Sequence, residues 1–106
     1  MKHNLRMALG LSMRAGKCIA GDFACEQAVK KEKAKLVLVE EAASENTKQR
    51  YGQWCRARNI PCLTVSGAAD AVGKPAGMVF AISDSGFAQM IRSAWTNEEL
   101  NTDDGR

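Results

Sequence analysis

The amino-acid sequence predicts an α/β protein in which helices cover both faces of a four-stranded sheet. Three observations carry this reading. Leu36-Val37-Leu38-Val39 and Met78-Val79-Phe80-Ala81-Ile82 are uninterrupted apolar runs, the pattern of strands buried on both faces. Segments with apolar residues at helical spacing alternate with these and two further strand candidates, as an α/β layer structure requires. The chain has 106 residues, enough for one domain and too few for a second folding unit.

The elements follow in order. Leu5, Ala8, Leu9 and Met13 recur at helical spacing, and Gly16 supplies a stop. Cys18-Ile19-Ala20 is a short strand. Asp22 is expected to cap a second helix whose apolar face holds Cys25, Ala28 and Val29. Lys30, Lys31 and Lys33 fall in its last turn, where cations suit the helix dipole. The strand Leu36–Val39 comes next. Asn46-Thr47-Lys48-Gln49 reads as a capping box opening a helix with Tyr51, Trp54, Cys55 and Arg58, which Asn59 can end in the left-handed conformation. The third strand spans Ile60 to Val65, with Pro61 tolerated at its beginning. Ser66-Gly67 opens a short Ala-rich helix that Gly73 stops, and Lys74 to Gly77 form a loop before the strand Met78–Ile82. Asp84 caps a final helix with Phe87, Met90 or Ile91, and Ala94 or Trp95 on one face. From Thr96 onward the chain is polar and acidic, so the expected organisation is one domain over 1–95 and a mobile tail over 96–106. Right-handed crossovers restrict the topology without fixing strand order.

Composition narrows the function classes. Hydrophobic residues at 45% and charged residues at 25% exclude a wholly disordered chain. No run approaches the roughly 18 apolar residues of a membrane span, and Arg6 and Arg14 interrupt the first apolar stretch, so neither membrane nor secretory signal is expected. Residues 1–83 carry thirteen basic against seven acidic groups, a balance of +6, whereas 84–106 carry two against five, a balance of −3. The net +3 thus conceals a more basic body, which suits a nucleic-acid partner.

Catalytic and metal chemistry find little purchase. Cys18, Cys25, Cys55 and Cys62 lack zinc-knuckle spacing, and His3 is the sole histidine, so neither a metal site nor a Ser–His–Asp or Cys–His nucleophile can be assembled. The cysteines read as buried small hydrophobes of a reducing cytosol. Glu40-Glu41 at a strand end could serve acid–base work, but one solvated and one partly covered carboxylate is the plainer reading. No phosphate-loop or dinucleotide fingerprint occurs. A binding surface is better supported. Arg14, Gly16, Lys17 and Gly21 lie within eight residues around a strand-to-helix junction. The amides beginning the helix can receive a phosphate, with the Asp22 carboxylate as competitor. Ser66-Gly67 makes a second junction of this kind, and strand carboxyl ends are where α/β sheets hold ligands.

Together, Leu9-Gly10-Leu11, Arg14-Ala15-Gly16-Lys17, Gly21, Lys33-Ala34-Lys35-Leu36-Val37-Leu38, Glu45-Asn46-Thr47, Cys55, Asn59-Ile60-Pro61, Ala71-Val72-Gly73-Lys74 and Asp84-Ser85-Gly86-Phe87-Ala88 resemble the bacterial branch of the kink-turn-binding ribosomal protein family (L-seven-Ae/L-thirty-e). The match runs from about Leu5 to Ile91. The resemblance implies a three-layer α/β/α sandwich with a central four-stranded mixed sheet. It also implies RNA binding without catalysis, no cofactor, and a cytoplasmic, ribosome-linked role. Candidate partners are structured RNA such as ribosomal RNA, and ribosomal proteins.

It further implies an RNA surface in two parts. One is the helix after Gly21, where the best-known members carry Asn, Glu and Lys at the positions of Phe23, Ala24 and Gln27. There the Asn and Glu read the edges of sheared G·A pairs. The other is the loop Ser66-Gly67-Ala68-Ala69, where the family's usual Leu-Gly is replaced by Ala68-Ala69. The candidate RNA-binding residues are therefore Arg14, Lys17, Gly21, Asp22, Phe23, Gln27, Lys31, Ser66, Gly67 and Ala68. Phe23 is read as a staple between the second and first helices, with stacking on an unpaired base as its alternative role. Because base-edge groups are lost while basic groups remain, binding weaker or less selective than in archaeal relatives is expected. Two rival readings stand beside this one: a protein-interaction adaptor on the same fold, motivated by Trp54, and a thiol enzyme or redox sensor on Cys18 or Cys25.

Overall fold

The computed structural model describes residues 1–100. Five helices and four strands alternate among them: α1 His3–Arg14, β1 Cys18–Ala20, α2 Asp22–Lys30, β2 Leu36–Glu40, α3 Glu45–Ala57, β3 Cys62–Val65, α4 Ala68–Ala71, β4 Val79–Ile82 and α5 Ser85–Leu100. The sheet order is β1-β4-β2-β3. β4 runs antiparallel to both neighbours, while β2 and β3 are parallel, so the sheet is mixed as expected.

Burial explains the two apolar runs. Alternate residues of β2 and β4 face opposite ways, and both faces are covered. Leu36, Leu38, Phe80 and Ile82 pack with Leu5, Leu9 and Ile91 beneath α1, α4 and α5. Val37, Val39, Val79 and Ala81 pack with Cys25, Val29 and Tyr51 beneath α2 and α3. Each fully buried large side chain contributes about 1.5–3 kcal/mol relative to exposure, so the central pair β2/β4 anchors all three layers.

Several local expectations are corrected. Asp22 is not the cap of α2. Gly21 is, at φ +106°, a conformation that disfavours any side chain. Asp22 is the first helical residue, and its carboxylate turns sideways to α3. Likewise Ser44, not Asn46, caps α3: its hydroxyl accepts the Thr47 amide at 3.1 Å. Helix α2 ends at Lys30, and Glu32 follows in the left-handed region at φ +58°, so Lys33 lies beyond the last turn. Strand β3 begins at Cys62 rather than Ile60. Asn59 does adopt the left-handed conformation, at φ +57°. Asp84 does cap α5, accepting the Phe87 amide at 2.9 Å. The helix then continues to Leu100, so the first part of the expected tail is helical, and 101–106 lie outside the described residues.

Candidate nucleic-acid interface

Strand directions give the sheet two ends with different chemistry. At one end β1 and β2 finish while β4 begins: the Gly21 amide donates to Val79 O at 3.2 Å, and the Glu40 amide to Met78 O at 2.8 Å. Call this the glycine end. At the other, the Lys35 amide donates to Ile82 O at 2.6 Å and the Ser83 amide to Lys17 O at 3.0 Å. This is the lysine end.

The glycine end gathers Gly21, Asp22, Phe23, Ser66, Gly67 and Ala68. Helix α2 starts there from Gly21, and α4 starts from Gly67 at φ +94°. Glu40, the last residue of β2, holds the second of these starts. Its carboxylate is buried (8% exposed) and accepts the Gly67 amide at 3.1 Å and the Ala69 amide at 2.6 Å. Those amides, a candidate phosphate cradle in the sequence reading, are thus occupied by an internal anion. Of Glu40 and Glu41, one is indeed covered and the other solvated. A shallow hollow beside Gly21 is lined by Ala20, Gly73, Lys74, Pro75, Ala76 and Gly77.

Phe23 lies at this end and is not a staple. Helices α1 and α2 cover opposite faces of the sheet, so the two cannot meet through Phe23. Its ring is 77% exposed. Asp22 beside it is held by α3. The Tyr51 hydroxyl donates to Asp22, its proton shared between Oδ1 at 2.6 Å and the backbone oxygen at 2.8 Å, and the Arg50 guanidinium donates to Oδ2 at 3.0 Å. The hydrogen bond from Tyr51, then that from Arg50, holds the Asp22 carboxyl below its ordinary range. Its negative charge is engaged with α3 and competes less for the amides opening α2. Gln27 stands further along α2, half-buried.

Arg14, Lys17 and Lys31 are not with this group. Lys17 precedes β1 and Lys31 follows α2, both at the lysine end. Arg14 closes α1 near that end, with Nη1 lying back 3.5 Å from where a Cβ on Gly10 would stand. Lys33, Lys35 and Arg58, which the sequence reading did not select, belong to the same region. The structure therefore divides nine of the ten candidates between two ends of the sheet, with Gln27 along α2 between them. Sequence pattern could have found Glu40 only as a carboxylate ending a buried strand; its amide partners lie 27 and 29 residues away.

The motives for the rival readings fare differently from the RNA surface. Trp54 is half-buried, edge-on to Tyr51 at 5.1 Å, with Lys30 Nζ 4.9 Å and Arg50 Cζ 5.5 Å from its ring centre. Its face is taken by cations of its own chain. Burial pushes the Cys18 thiol up to about 11 and the Cys25 thiol up to about 12, the reverse of an activated nucleophile. Cys25 is fully buried, its S–H directed at Ile19 O and Val79 O. Among the described residues no group of acidic, Cys or His side chains could hold a metal ion, and no helix is long and apolar enough to cross a membrane.

Fold and site define a small α/β/α protein whose candidate contact surfaces are loops and helix ends at the margins of a four-stranded sheet. Known proteins give that class a family. The chain is 40% identical over 87 residues to RNA-binding protein YlxQ of Enterococcus faecium, covering 79% of this chain and 84% of that one. It is 35% identical over 88 residues to RNA-binding protein YlxQ of Bacillus subtilis, covering 80% and 88%. It belongs to this bacterial YlxQ family. Among solved structures, a Bacillus halodurans protein of unknown function superposes with a TM-score of 0.82 at 25% identity, over 87% of this chain and 96% of that one. The Giardia lamblia 15.5kD RNA binding protein superposes with a TM-score of 0.72 at 14% identity, over 94% and 92%, and shares the fold. No protein-family model matches the chain.

Proposed function

We propose that this chain is a non-enzymatic, cytoplasmic RNA-binding protein that recognises structured, kink-turn-like RNA in association with the ribosome. The observation that carries the reading is that α2's glycine start and the Ser66–Ala68 loop lie at the same end of the sheet, with Glu40 locking the loop, in a chain whose curated relatives are named RNA-binding proteins. The two regions that the family resemblance implicates follow the carboxyl ends of β1 and β3, at the same end of the sheet, although more than forty residues apart in the chain. Phe23, Ala24 and Gln27 replace base-edge readers, so recognition rests on shape, on stacking against the exposed Phe23 ring and on phosphate contact. The burial of Cys18 and Cys25, which raises both thiols, supports a role without catalysis.

Titration of a kink-turn RNA and a straight duplex of equal length, at several salt concentrations, tests this. Tighter binding of the kinked RNA, with log affinity falling linearly against log salt, is the expected result. Equal affinity for both removes kink recognition, and a flat salt dependence removes phosphate contact.

A further inference from the structure

Resting on the RNA-binding reading, we propose that the lysine end of the sheet is a second RNA surface, one that binds the phosphate backbone without reading sequence. It is built by Lys17, Lys31, Lys33, Lys35 and Arg58. These residues come from three separate stretches of chain: the turn before β1, the α2–β2 connection and the end of α3. Backbone hydrogen bonds bring the stretches together. Ser83 N bonds Lys17 O, Lys35 N bonds Ile82 O, and Val37 N bonds Pro61 O just beyond Arg58. With strands about 4.8 Å apart, four strand ends span about 15 Å, so the five cations form one surface.

Unpaired cations are concentrated at this end, although Lys74 and Arg92 elsewhere also pair with no carboxylate among the described residues. Elsewhere Arg6 pairs with Asp70, Lys30 with Glu26, Lys48 with Glu45 and Arg50 with Asp22. Lys17, Lys31, Lys33 and Lys35 are exposed, and none pairs with a carboxylate among the described residues. Arg58 is half-buried, its Nη1 donating to Trp54 O at 3.1 Å, and shares a hollow with Glu32, Lys35 and Asn59. The nearby carboxylates do not neutralise the group: Glu32 and Asp84 bring two negative charges against five positive ones. The glycine end is less favourable to a polyanion at its β3 edge, where Glu41, Glu98 and Glu99 line a hollow with Ser66.

The kind of partner follows from what the surface lacks. Among the described residues no fully exposed aromatic ring lies there to stack on a base: Phe87, in the first turn of α5, is half-buried against the core, Phe23 is at the opposite end and Trp54 is flanked by Lys30 and Arg50. Four flexible ammonium groups suit phosphate oxygens rather than base edges, and the one planar guanidinium among them, Arg58, is half-buried and already donates to Trp54 O. Unmatched like charges repel one another in the free protein, and a phosphate backbone relieves that repulsion.

The full chain and a Lys17→Ala, Lys33→Ala, Lys35→Ala triple variant, titrated with a kink-turn RNA and a straight duplex across a salt series, provide the test. The expected result is a slope of log affinity against log salt that is shallower by about 2 to 3 on both RNAs, with the kinked-to-straight affinity ratio kept. Lysine-to-arginine replacement at the same three positions should restore the slope. Melting curves confirm that the variant is folded. An unchanged slope in the alanine variant overturns the lysine-end surface while leaving the RNA-binding reading intact. Failure of the unmodified chain to bind either RNA overturns both.

Discussion

The Glu40 carboxylate stands 2.6 Å from the Ala69 amide nitrogen, across the end of the sheet. With the Gly67 amide at 3.1 Å, it supplies as a side chain the anion that the start of α4 would otherwise seek in a ligand. The last residue of a buried strand thereby sets the position of the loop after β3.

Glu40→Gln should expose this dependence. An amide can accept one of the two N–H groups, but its own NH2 then faces the other donor. A loss of about 1–3 kcal/mol in unfolding free energy, measured by urea titration, is expected. Kink-turn affinity should fall while affinity for straight duplex changes little. Unchanged stability would show that the two amides find other acceptors at no cost.

Tyr51→Phe removes the hydroxyl bound to Asp22 and should cost about 1 kcal/mol near neutral pH. The acid limb gives a sharper readout. Asp22 is held below its unfolded value of 3.8, so its contribution is present above that pH and lost as pH falls through the lower folded value. The variant should therefore lose stability less steeply than the parent below about pH 4. Parallel acid limbs would contradict the role given to Tyr51.

Gly77→Ala tests packing beside the hollow at the glycine end. A Cβ there would stand 2.7 Å from Cζ of the fully buried Phe80 ring. The ring must shift within the buried core, and the Lys74 carbonyl oxygen stands 3.2 Å from the same Cβ, so a cost of about 1–3 kcal/mol by thermal or chemical denaturation is expected. A variant as stable as the parent would show that the Phe80 ring can shift.

Phe23→Ala separates stability from binding. The ring is 77% exposed, so unfolding free energy should change by no more than about 0.5 kcal/mol. RNA affinity should fall by about 1–3 kcal/mol if the ring stacks on a base. Unaltered RNA binding would remove Phe23 from the interface.

Alkylation distinguishes binding protein from thiol enzyme. Cys25 is buried and its thiol is pushed up to about 12, so iodoacetamide at pH 8 should leave it unmodified until the protein is unfolded. Rapid native labelling of Cys25, read by peptide mass spectrometry, would restore the redox reading.

The layer structure was legible because burial on two faces leaves a local mark. Leu36 to Val39 and Val79 to Ile82 must be apolar at every position, and no other part of the chain need be known to see it. Asn59 and Asp84 were legible for a similar reason, since their effects reach only a few residues. The caps of α2 and α3 were misread where local preference allowed several answers. Asp22 is a good cap in isolation, but Tyr51, 29 residues on, claims its carboxylate. Ser44 and Asn46 are both suitable caps, and the observed start of α3 selects the earlier one.

The candidate surface divided along the same line. By itself the sequence determined the α/β class, the elements, the buried strands, the basic body and the family resemblance, because these depend on composition, periodicity and order. It could not place Lys17 and Lys31 relative to Gly21. All three are close in the chain, yet β1 carries the backbone about 13 Å from Lys17 to Gly21, and α2 returns a similar distance to Lys31. Only the tertiary structure decided that these lysines lie opposite the glycine and join Lys33, Lys35 and Arg58. It also decided that Glu40 fills the amides beside Ser66. Charge and hydrogen-bond partners at a surface depend on the direction in which each element crosses the sheet, and direction belongs to the assembled layers rather than to any local run of residues.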